Sequence, residues 1–120
     1  MKIRAHLKTG MSSAEWFRLS VNEAKSDPVG LWEMVKVGRH GFGLESKELD
    51  GFVKDFIAEM LKSGALVVVG NKSAKFGWSQ TDQYKGDADA IAESIVSEWR
   101  AALVDPDING IWFACPSAYT

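Results

Sequence analysis

Residues 46–70 read SKELDGFVKDFIAEMLKSGALVVVG, and the class of fold turns on this stretch. Leu49, Phe52, Val53, Phe56, Ile57, Met60 and Leu61 recur at the i, i+3, i+4, i+7 spacing of a single helical face. Ser46 suits the start of that helix, and Gly64 suits the left-handed position just past its end. Leu66–Val69 follows at once, a β-branched run closed by Gly70, which predicts a buried strand. A long amphipathic helix running directly into such a strand needs both helices and a sheet around it.

The flanking segments supply them. Lys75–Ser79, with Phe76 and Trp78 on one face, predicts a return strand, and Gly70–Ala74 the hairpin turn. Asp87 caps a last helix with the stripe Ala88, Ile91, Ala92, Ile95, Trp99 and Leu103, and Ile111–Ala114 is a short final strand stopped by Pro116. Upstream, Lys2–Lys8 alternates with period two, placing Ile3, Ala5 and Leu7 on one face of a strand. Ser12-Ser13-Ala14-Glu15 has the form of a capping box, opening a helix to about Lys25. Asp27-Pro28 starts a second helix, with Leu31, Met34, Val35 and Gly38 along one face. The expected fold is α+β: a single domain over residues 1–120, about four helices packed on a small, mostly antiparallel sheet with strands near 2–8, 65–69, 75–79 and 111–114.

The 120 residues are 46% apolar and 25% charged with a net charge of −2, which excludes disorder, fibrous repeats and a polybasic nucleic-acid binder. Charge is uneven: residues 1–43 carry a net +3 and residues 86–120 a net −5. A lone cysteine, Cys115, forms no internal disulfide, and no apolar run approaches the roughly 20 residues of a membrane-spanning helix. A cytoplasmic protein without a membrane anchor is expected.

Motifs that carry chemistry are thin. The run Gly38-Arg39-His40-Gly41-Phe42-Gly43 lacks the spacing of a dinucleotide fingerprint and the end of a phosphate-binding loop, so it predicts a flexible joint between two helices. Asp105-Pro106-Asp107-Ile108-Asn109-Gly110 matches the first half of a calcium loop, but Pro116 stands where the bidentate glutamate belongs, and an Asx-type turn accounts for the same residues. Cys115 has only His6 and His40 to serve as a base, and two histidines with one cysteine make no zinc site. No catalytic residue, metal or cofactor is expected.

From Pro28 to Ser79 the order of elements resembles a winged helix, with helix, turn, helix and a hairpin tipped by Lys72 and Lys75. The third helix would then be the recognition helix. Its outward face carries Lys47, Lys54 and Lys62 against Glu48, Asp50, Asp55 and Glu59, and Asp50/Lys54 and Glu59/Lys62 have the spacing of mutually neutralising pairs.

Five tryptophans in a small domain are the unusual feature. Trp32, Trp78, Trp99 and Trp112 fall on apolar stripes or strands, which predicts core positions. Trp16 and Leu19 fall opposite the stripe Ala14, Phe17, Val21 and Ala24 of the first helix. Tryptophan and tyrosine supply large contact area with a polar handle at interfaces. The expected function is therefore a non-enzymatic protein-interaction module, binding a partner or itself through Trp16 and Leu19, joined by Tyr84. The alternative is a winged-helix-like nucleic-acid binder using Lys2, Arg4, Lys8, Lys72 and Lys75.

Overall fold

The structure is a computed structural model that describes residues 4–118. Among the described residues four helices and four strands follow one another in the order α1 (Ser13–Glu23), β1 (Val29–Gly30), α2 (Leu31–Lys36), α3 (Ser46–Lys62), β2 (Leu66–Gly70), β3 (Trp78–Gln80), α4 (Ala88–Ala102) and β4 (Trp112–Ala114). A π-helical turn, Val37–Gly41, continues α2, and a short 3-10 turn, Pro116–Ala118, follows β4. The sheet has the order β1-β4-β2-β3 with every pair antiparallel. The expected single α+β domain is what forms.

The heptad-like stripe of α3 builds the centre. Leu49, Phe52, Val53, Phe56, Ile57 and Met60 are all buried. Phe17 of α1 packs on Phe52 and Phe56 at ring-centroid distances of 5.3 and 4.6 Å. Val29, Val67 and Phe113, which share a face of the sheet by register, complete the same core. The helix ends as its sequence predicts: Gly64, at φ +101°, donates to Leu61 O while Ala65 donates to Met60 O, the paired bonds of a Schellman end.

The other side of α3 is covered by α4. Lys54 reaches Glu93 at 2.8 Å, Lys62 reaches Asp89 at 3.4 Å, and the Arg100 Nε donates to Asp50 at 2.6 Å. Of the charges expected to neutralise each other along α3, Asp50, Lys54 and Lys62 are paired across to α4 instead. Spacing along one helix brings Asp50 and Lys54 into reach, but it carries no information about a second helix alongside. Such exposed pairs contribute about 0–1 kcal/mol each, so the helix pair is held chiefly by its buried Ala92, Ile95 and Trp99.

Several local expectations are corrected. Of the strand expected at 2–8, residues 2 and 3 lie outside the described residues, and 4–8 form only an isolated bridge, Ala5 with Ser12. His6 N donates to Met11 O and Gly10 N to His6 O, so the backbone closes a turn on itself. The faces are also reversed: Arg4 and His6 are half-buried, while Leu7 is 69% exposed. The fourth strand is Val29–Gly30, taken from what the proline signal assigned to the start of α2; the helix begins at Leu31 with Gly30 as its cap.

At α3, Ser46 makes no side-chain cap and sits at φ +52°. The hairpin loop is longer than expected: β3 starts at Trp78 rather than at 75, and Phe76 lies half-exposed in the loop. The glycine-rich run is no loose joint. Gly38 is buried, and a Cβ there would stand 2.7 Å from Leu49 Cδ1 and 2.8 Å from Phe52 Cδ1, so the absent side chain lets the π-turn lie directly on α3.

Candidate functional site: a cleft between the first two helices

A cavity of about 440 Å³ opens between α1 and α2. One wall is Trp16, Leu19, Ser20 and Glu23 of α1; the other is Glu33, Met34 and Val37, with Val29 and Phe56 at the floor and Met11 at one end. The sequence makes it in a simple way. Ser12 Oγ accepts from Glu15 N at 3.1 Å and starts α1, whose main stripe turns Phe17 toward α3. The two residues off that stripe, Trp16 and Leu19, are left facing α2. Glu15 does not complete the capping box; its carboxylate takes Arg18.

Trp16 is half-buried and fixed from behind. The His6 imidazole stacks on it with centroids 5.0 Å apart, and Phe42 meets it edge-on at 5.8 Å. His6 Nδ1 accepts from Lys8 N at 3.1 Å, which holds the imidazole in place. Leu19, 43% exposed, has no such backing. The indole wall is braced by two rings, and the leucine beside it is exposed.

The charged groups of the cleft are both carboxylates. Glu33 is the third residue of α2, and its carboxylate accepts from Gly30 N–H, a role that alone accounts for a glutamate here. Burial pushes its pKa above the ordinary carboxylate value, and Glu23 across the cleft pushes the same way, against the pull of Gly30 N–H and Lys36. Among the described residues that line the cleft there is no lysine or arginine, and Lys36 acts on Glu33 from outside it. The arrangement suits an apolar body carrying a positive charge.

Of the sequence-predicted residues, Trp16 and Leu19 share this wall, and Tyr84 does not. Tyr84 packs near α4, where its hydroxyl donates to Glu98 at 2.8 Å; burial first, and Glu98 second, hold it protonated well beyond the usual tyrosine range. Lys2 lies outside the described residues. Arg4 is tied to Glu48 at 3.0 Å, Lys8 is exposed in the N-terminal turn, and Lys72 and Lys75 sit in the β2–β3 loop. Met11, Glu23 and Glu33 carry no sequence signal for a cleft; Glu33 reads only as a helix start.

The tryptophans divide differently from the expectation. Trp99 is core, 6% exposed. Trp32, Trp78 and Trp112 are only half-buried and lie apart from the main core, whereas Trp16 packs against it. The parity of a strand gives two faces without saying which one the helices cover.

Elsewhere, Cys115 is buried with its N–H on Ala24 O, while His40 is exposed on the π-turn. Asp107 Oδ1 accepts from Asn109 N at 2.9 Å, the expected Asx turn. Asp105 takes Arg39 and the Trp99 indole N–H, so the arginine of the glycine-rich run is engaged across the fold. Among the described residues no group of three or more His, Cys, Asp or Glu could hold a metal ion, and no helix is long and apolar enough to cross a membrane. Comparison of the chain with protein-family models, with curated proteins and with solved structures gives no match.

Proposed function

We propose that this chain is a non-enzymatic protein-interaction module that receives, in the α1–α2 cleft, a basic residue flanked by apolar side chains of a partner protein. One observation carries the proposal: the two off-stripe residues of α1, Trp16 and Leu19, line the same 440 Å³ cleft as Glu23 and Glu33. A rigid aromatic with apolar neighbours is the usual centre of a binding hot spot. The part-buried carboxylate of Glu33, with the exposed carboxylate of Glu23 across the cleft, favours a cation that neutralises both.

The test is an NMR titration that follows the Trp16 indole N–H with two short synthetic peptides, one alternating leucine with lysine and one alternating leucine with glutamate. The lysine peptide is expected to shift the Trp16 resonance saturably, with the effect lost in Trp16→Ala and weakened in Glu33→Gln. Equal shifts with both peptides, or none with either, would overturn the proposal.

A further inference from the structure

The outer face of the sheet holds a second aromatic surface. By register, Gly30, Trp112, Val68, Gly70 and Trp78 share this face, opposite the core residues Val29, Phe113 and Val67. Val68 is fully buried yet lies outside the core built with the helices. Its register neighbour on this face is Trp112. The rings of Trp78 and Trp112 are 5.0 Å apart, and a Cβ on Gly30 would stand 3.2 Å from Trp112 Cε3 and 2.7 Å from Trp32 Cδ1. The three indoles therefore run side by side from the start of α2, across β4, to the edge strand β3.

A lid over Val68 would account for the rings but not for what surrounds them. Lys36 Nζ lies 5.7 Å over the Trp32 ring at one end of the row. At the other end the loop into β3 places Lys75 Nζ 5.3 Å over the half-exposed ring of Phe76, with exposed Lys72 in the same loop. The Trp32 Nε1 is buried with no hydrogen-bond partner, whereas Trp112 Nε1 donates to Ile108 O at 3.1 Å. A row of aromatic faces with a cation at each end matches a chain that alternates flat rings with negative charge.

We infer that this face binds single-stranded nucleic acid, stacking bases on Trp32, Trp112 and Trp78 while Lys36, Lys72 and Lys75 meet the phosphates. The rings of Trp78 and Trp112 lean together, 5.0 Å apart and tilted by 58°, over the intervening strand β2, so with Trp32 beside Trp112 the row has room for about two unstacked bases. A duplex offers no free base faces to such a row, and the recognition face a winged helix would need on α3 is covered by α4. The surface shares no lining residue with the α1–α2 cleft, and only Lys36, which also acts on Glu33, stands near both.

The experiment is a titration of the full chain with a short oligothymidylate, reading all five indole N–H resonances. The Trp78 and Trp112 signals are expected to shift saturably while Trp16 stays still, and inorganic tripolyphosphate and a duplex of equal length to leave them in place. Affinity is expected to fall with salt with a log–log slope of about −2, as for three phosphates neutralised on a single strand. Trp78→Ala is expected to weaken binding about tenfold or more, and Trp78→Tyr to retain most of it. The double variant Lys72→Ala/Lys75→Ala changes only exposed loop side chains, and is expected to flatten the salt slope. No indole shift at millimolar oligonucleotide, an equal response to tripolyphosphate, or indoles that move with protein concentration alone would each overturn the inference; the last would mark a surface for a second copy. If Trp78→Ala fails to fold, Trp78→Tyr and the lysine variant decide.

Discussion

The imidazole of His6 lies almost parallel to the indole of Trp16, with ring planes 9° apart and centroids separated by 5.0 Å. The contact joins the N-terminal turn to α1 and holds the wall of the cleft. His6→Ala removes the stack and the acceptor of the Lys8 N–H. The expected cost is about 1–2 kcal/mol in urea unfolding, with Trp16 emission shifted to the red.

Asp105 joins three elements, accepting from Arg39 on the π-turn and from the indole N–H of Trp99 on α4. The Arg39 hydrogen bond, ahead of Trp99, holds its pKa below the ordinary carboxylate value. Its folded pKa is therefore lower than its unfolded one, and the stabilisation is present above the unfolded value and lost as pH falls through the folded one. Half the carboxylate faces water, so Asp105→Asn is expected to cost only about 0.5–1 kcal/mol at neutral pH. The difference from wild type should vanish in strong acid, as read from unfolding curves across the acid range.

Glu33 behaves in the opposite sense. Burial, then Glu23, raises its folded pKa, so the fold is favoured while the group is protonated and loses stability as pH rises through the folded value. Glu33→Gln keeps an acceptor for Gly30 N–H and removes the charge. It is expected to raise or leave unchanged the melting temperature at neutral pH while weakening the lysine peptide, a separation of stability from binding seen by running both assays on one variant.

Leu103 ends α4 at φ +59° while 90% exposed. It has neither packing nor a favoured backbone angle there. Leu103→Gly is expected to stabilise the chain by about 0.5–1 kcal/mol, measured as a higher urea midpoint at unchanged slope.

Gly38→Ala tests the close approach of the π-turn to α3. The added methyl meets Leu49 and Phe52, both fully buried, and is expected to cost about 1–3 kcal/mol. An unchanged stability would mean that the turn can lift from the helix without penalty.

What could be read from the chain follows from how far each pattern reaches. The stripe of α3 was legible, and that of α4 up to Trp99, because six or so apolar residues at helical spacing leave one solution; Leu103, read as the end of the α4 stripe, lies instead past the helix and exposed. Val29–Gly30 was not, since two residues between a proline and a helix show no period. In the N-terminal segment alternation separates two faces without naming the inner one, and His6 turns inward because its ring finds Trp16 and Phe42. The same ambiguity hid the tryptophan row: Trp112 and Phe113 are adjacent and both aromatic, and only the helices' placement decides that Phe113 is core. Half of the cleft was legible, because a residue off the stripe of an amphipathic helix announces itself. Glu23 and Glu33 were not, because their meeting depends on the angle between two helices.

The sheet order β1-β4-β2-β3 also sets a sequence in time. Its inner strand β4 is the last made, and both β1 and β2 pair with it, so β1 has no neighbour until residues 112–114 arrive. Closing that ladder joins residues more than eighty positions apart, a slow step compared with forming α3 against α4. Val29 and Val67 wait uncovered on one side and Val68 on the other until Trp112 and Phe113 are in place. A nascent or refolding chain is therefore expected to pass through a helical stage with an unfinished sheet, and to be most prone to pairing with its neighbours at that stage.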